Sequence, residues 1–104
     1  MKLITKAIQN KLDKAGYYGE KAICKFFDPC GAATHIIFGQ DPDQPDILFC
    51  VADLGFGCVE AGTVSLSELE QCKGPLGLGM ERDIHFDGGE LMDHYLQKTS
   101  LAGC

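Results

Sequence analysis

Six cysteines, three histidines and fifteen carboxylates are the side chains of this 104-residue sequence best suited to catalysis or metal binding. Their spacing limits what they do. Zinc sites draw on close pairs such as C-x2-C or H-x3-H, because two ligands from one turn are ordered together. No such pair occurs: five residues separate Cys24 from Cys30, and seven separate Cys50 from Cys58. A Cys–His nucleophile needs an imidazole beside the thiol in space, which Cys30, in a turn, can obtain from His35 or His85. Cys24 and Cys50 lie in apolar runs, where a thiol acts as a small hydrophobe. All six, with Cys58, Cys72 and Cys104, read as reduced structural thiols, and Cys30 is the first to test for reactivity.

Glu81, Asp83 and His85 fall at alternate positions, so on a strand they share one face. A carboxylate pair beside an imidazole suits metal-assisted hydrolysis, which gives one reading of the chain: a small enzyme acting on nucleic acid or nucleotides. Simple solvation of three polar side chains accounts for the same pattern. Gly74-Pro75-Leu76-Gly77-Leu78-Gly79 is glycine-rich but lacks the Lys-Ser/Thr with which a P-loop reaches phosphates and magnesium. A structural crossing fits it better, and the sequence implies no cofactor.

Carboxylates are instead frequent on predicted loops and helix starts: Asp41, Asp43, Asp46, Glu60, Glu68, Glu70, Glu81 and Asp83. Each is explained singly by solvation. Together they can form an extended negative surface that occupies a groove built for nucleic acid, since such grooves are lined by arginine and lysine. The formal charge of −6 hides an uneven distribution. Residues 1–25 hold six lysines against Asp13 and Glu20, a balance of +4, while residues 26–104 hold three basic groups against thirteen acidic ones, −10. Only the N-terminal segment offers the basic footprint that autonomous nucleic-acid binding requires, and its lysines also fit a solvated helix face. The expected partner is therefore a protein or complex with a basic, nucleic-acid-binding surface, with no direct contact to nucleic acid.

The elements that must position these groups follow from periodicity. Leu3, Ile4, Ala7, Ile8, Leu12 and Ala15 recur at helical steps, with Thr5 as N-cap and Gly16 as stop. From Lys21 to Phe27 the period becomes two, predicting a strand. Asp28-Pro29-Cys30-Gly31 turns the chain, and Thr34–Phe38 returns as the second arm of a hairpin. Residues 39–46, with two prolines and three aspartates, form a loop. Ile47–Asp53 is a third strand, apolar enough to be central, and Cys58–Val64 a fourth. Ser65-Leu66-Ser67-Glu68 matches a capping box and starts a short helix that ends at Lys73, before Gly74-Pro75. Met80–Phe86 alternates as a fifth strand, although Arg82 falls on its apolar side. Leu91, Met92, Tyr95 and Leu96 give a last short helix, and residues 99–104 are expected to be disordered.

A chain of this length with 45% hydrophobic and 23% charged residues supports one folded domain spanning 1–104. The longest apolar run, Ile47–Ala52, is far short of the roughly 20 residues a membrane helix needs. Lys6, Gln9, Asn10 and Lys11 interrupt any leader-like apolar segment. A cytoplasmic location is expected.

Several segments resemble a family of small bacterial proteins of unknown function carried on plasmids, conjugative elements and other mobile DNA. They are Lys2-Leu3-Ile4-Thr5 with the following helix, Lys25-Phe26-Phe27-Asp28-Pro29-Cys30, Gly31-Ala32-Ala33-Thr34, Asp53-Leu54-Gly55-Phe56-Gly57, Ser65-Leu66-Ser67-Glu68-Leu69, Gly74-Pro75-Leu76-Gly77-Leu78 and Glu81-Arg82-Asp83-Ile84-His85-Phe86. The likeness spans most of residues 2–87 and leaves out the final helix. His35 stands where an aromatic residue is expected, and Gly79-Met80 where a proline and a β-branched residue are expected. The resemblance implies a setting on mobile DNA, where proteins of this size are often inhibitors of host defence, such as anti-restriction or anti-CRISPR proteins. The sequence thus predicts an α+β domain with an N-terminal helix, a mostly antiparallel sheet of four or five strands and two short helices, acting by non-catalytic docking of its acidic residues. The alternative is the enzyme built on Glu81, Asp83 and His85.

Overall fold

A computed structural model describes residues 3–29, 31, 33–71 and 79–101. In chain order the elements are α1 (Lys6–Ala15), β1 (Cys24–Phe27), β2 (Thr34–Gln40), β3 (Ile47–Asp53), β4 (Val59–Ser65), α2 (Leu66–Gln71), β5 (Glu81–Arg82) and α3 (Met92–Leu96). The strands form one sheet in the order β4-β3-β2-β1-β5, with every neighbour antiparallel. This is the α+β fold the periodicities predict. Helix α1 begins and ends where its caps dictate. The Thr5 hydroxyl accepts the Ile8 N–H at 3.2 Å, and Gly16, at a φ of 72°, donates its N–H to the Leu12 carbonyl.

Both faces of the sheet are covered, because residues of either parity along the strands are apolar and each set finds a helix. On the first face, Cys24, Phe26, Ile37, Leu48 and Cys50 pack with Leu3, Ile4 and Leu12 from the N-terminal segment and α1, and with Leu69 of α2. On the second, Ile36, Phe38 and Val51 pack with Tyr95 of α3 and with Leu101. Strand β2 is consequently buried at every position. Strand β3 is interior, as its composition predicts, but β2 is the middle strand of the five.

Three local expectations change in the structure. Residues 99–101 are not loose: Leu101 is fully buried and its N–H donates to Asp53 Oδ2 at 2.9 Å, while residues 102–104 lie outside the described residues. The fifth strand is two residues long rather than seven, because Asp83 Oδ1 captures the His85 N–H at 2.9 Å and folds the chain into a turn. Arg82 does lie toward the first face, where its guanidinium donates to the Leu3 carbonyl at 2.8 Å. Finally, β2 continues through Gly39 to Gln40 with a register shift between Ile37 and Gly39. Here segment 16–19 lies backbone to backbone on β2. A Cβ on Gly39 would collide with the Tyr17 carbonyl, and one on Gly19 with the Phe38 carbonyl.

Candidate functional site

The carboxylates of Asp41, Asp46 and Glu70 are fixed by their neighbours, whereas Asp43 and Glu68 are held through their backbone N–H groups. Asp41 Oδ1 accepts the N–H groups of Asp43 and Gln44 at 2.8 and 3.2 Å, which curls the loop onto itself. At the loop's base, Gln40 Nε2 donates to the Pro45 carbonyl at 2.7 Å, and Gln9 Nε2 of α1 donates to Gln40 Oε1 at 2.6 Å. Asp46 then bridges to α2. Its Oδ1 accepts the Ser67 N–H at 2.8 Å, and its Oδ2 accepts both the Ser65 and Ser67 hydroxyls. These bonds, the Ser65 hydroxyl foremost, hold the Asp46 carboxyl below the usual carboxylate range. Half of the predicted capping box is present, with the Glu68 N–H donating to Ser65 Oγ at 3.3 Å. The terminus predicted at Lys73 lies outside the described residues. Glu70 Oε2 accepts the Leu3 N–H at 3.2 Å.

Asp41, Asp43, Asp46, Glu68 and Glu70 therefore belong to one braced end of the molecule. None of the five has a lysine or arginine at ion-pair distance among the described residues. The other three carboxylates stand elsewhere. Glu60 sits near the start of edge strand β4, opposite Ala52, whereas α2 follows that strand's other end. Glu81 and Asp83 belong to β5 and the turn after it, at the far edge of the sheet. Asp83 is bound to Lys25 at 3.6 Å.

The groups that suggested an enzyme are also dispersed. With β5 ending at Arg82, Asp83 and His85 are in a turn and do not share the strand face that alternation predicts. Cys24 and Cys50 are buried, and burial pushes both thiols up to about 12, far from thiolate at neutral pH. Cys58 is exposed. Cys30, Cys72, Cys104 and residues 74–78 of the glycine-rich run lie outside the described residues. His35 is buried on β2, its Nδ1 has no hydrogen-bond partner among the described residues, and burial lowers its pKa. Among the described residues no three His, Cys, Asp or Glu side chains converge as metal ligands would.

A family model described as "Protein of unknown function (DUF2958)" matches residues 2–104. The chain belongs to this family. No curated protein and no solved structure matches it. The DUF2958 match runs through α3 and the C-terminal residues, beyond the segments within residues 2–87 that carry the resemblance.

This DUF2958 chain also forms a cleft that the pattern of its residues does not announce. On the second face, Lys25, Thr34 and Asp53 line a cleft of about 460 Å³ between the β1–β2 turn, the β3–β4 turn and Thr99–Ser100. Asp53 is buried and accepts the Leu101 N–H on Oδ2 and the Gly55 N–H on Oδ1, and these bonds, the Leu101 one first, keep its carboxyl below the usual range. Lys25 is only 7% exposed. The available signal was a lysine alternating within an apolar strand, which reads as solvated unless a second layer covers that face.

Proposed function

We propose that this protein is a non-catalytic binding protein that docks its acidic end onto the basic, nucleic-acid-binding surface of another protein. The observation that carries this reading is the braced group Asp41, Asp43, Asp46, Glu68 and Glu70, which has no ion-pair partner among the described residues. A cluster of like charge steers association and favours a complementary surface, and the bonds that hold Asp41, Asp46 and Glu70 reduce the ordering cost at the moment of contact. We further propose the setting that the sequence resemblance implies: a cytoplasmic protein of a mobile element that inhibits a host defence complex, of the anti-restriction or anti-CRISPR kind. The enzyme alternative draws no comparable support, because Asp83 is occupied by Lys25 and the trio with Glu81 and His85 is spread over a strand and a turn.

Capture from host lysate, followed by identification of the bound protein by mass, tests the proposal in two steps. Asp41→Asn, Asp43→Asn, Glu68→Gln and Glu70→Gln together should weaken capture in a graded, salt-sensitive way, and nucleic acid should compete with the protein for its partner. Alanine at Glu81, Asp83 and His85 should leave capture intact. Capture that ignores both salt and the fourfold neutralisation would sink the proposal.

A further inference from the structure

The basic N-terminal segment is not spread evenly over solvent. Lys11 and Lys14, one turn apart on α1, and Lys21 on the segment leading to β1 line an open groove of about 680 Å³, with Tyr18 on its wall. Tyr18 is 71% exposed, the least covered of the chain's tyrosines among the exposed large apolar side chains. Its ring stacks on Tyr17 with centroids 4.5 Å apart and planes 11° from parallel. Phe49 meets Tyr18 edge-on at 5.1 Å and lies 6.1 Å from Tyr17. A ring on the far side of Tyr18 would be much farther from Tyr17 than that, so Phe49 sits beside the pair and the outer face of Tyr18 is open. The segment carrying both tyrosines is held by its close backbone approach to β2 at Gly19 and Gly39, and by the Gln40 N–H donating to the Gly16 carbonyl at 3.1 Å. The backbone that carries the platform is thus anchored to the sheet.

An open aromatic face on an anchored segment, beside three lysines, matches one ligand chemistry: a base that stacks and phosphates that follow it. From this we infer, against the expectation from sequence of no direct contact to nucleic acid, that the groove binds single-stranded nucleic acid without sequence preference. A duplex offers no free base face to Tyr18. The carboxylates of Glu20 and Asp87 on the groove wall leave the lysines in excess by one, so affinity is modest and depends on stacking as well as charge. The groove shares no residue with the acidic end, so binding there is independent of docking through it.

Fluorescence anisotropy with a labelled short oligothymidylate and the full-length chain tests this at low ionic strength. Three phosphate contacts predict a slope of about −2 in log affinity against log salt. Tyr18→Ala should weaken binding about tenfold or more at every salt concentration, by loss of one stacked base. Lys11→Gln, Lys14→Gln and Lys21→Gln combined should flatten the salt slope toward zero, with circular dichroism confirming that the variants fold. The inference is overturned if Lys6→Gln with Lys98→Gln weakens binding as much as the groove variants. Thymidine monophosphate or a duplex binding as tightly as the oligonucleotide would equally overturn it, as would an absence of binding.

Discussion

His35 carries a cost that only protonation equilibria will reveal. Its imidazole is buried between flanking strands with Nδ1 unpartnered among the described residues, so the folded protein favours the neutral ring and the pKa falls below 6.5. The unfolded chain binds the proton more readily. The stability associated with neutral His35 is therefore complete above about pH 6.5 and is lost as pH falls toward the lower folded-state pKa. In urea melts from pH 7 to pH 5, His35→Leu should show a flatter stability profile than the natural chain and gain about 1 kcal/mol at pH 7, from removal of an unsatisfied buried polar atom. A slope unchanged by the substitution would assign the acid sensitivity to other groups. His35 was visible in the sequence as a departure from an expected aromatic position, whereas its burial on both sides was not, because burial at β2 depends on strands far away in the chain.

At the scale of elements, the sequence signals that worked were local ones. Thr5, Gly16 and the Ser65 hydroxyl of the capping box act within one or two turns, and the structure uses each of them, without the reciprocal Glu68 side-chain bond among the described residues. The signals that failed were overridden by contacts at distance. Asp46 reads as one more loop carboxylate, yet it caps α2 from 21 residues away in sequence. Similarly, the alternation from Met80 to Phe86 reads as a long strand until the Asp83 carboxylate diverts the backbone. Asp46→Ala should lower the midpoint of chemical denaturation, through loss of the cap on α2. Asp43→Ala, without a bond to α2, should cost markedly less, and equal losses would contradict the capping role. Tyr17 and Tyr18 carried no periodic signal, so the aromatic platform beside α1 was illegible before the Gly19 and Gly39 contacts placed it.

For the whole molecule, what sequence could not supply was the number of layers. Alternating polar and apolar residues in β1 imply one wet face, but α3 and Leu101 cover the face that Lys25 occupies. The tail closes that layer. Leu101→Ala should therefore cost about 2–5 kcal/mol, as truncations of fully buried leucines do, and a calorimetric midpoint unchanged by it would refute the closure. The two-sided covering of β2 also orders how the protein opens to water. Its amides have strands on both flanks and packed side chains above and below, so fraying at an edge leaves them sealed. In heavy water, deuterium should enter β5 and α3 early and β2 last, the slowest β2 amides exchanging only through complete unfolding and so measuring the global free energy directly.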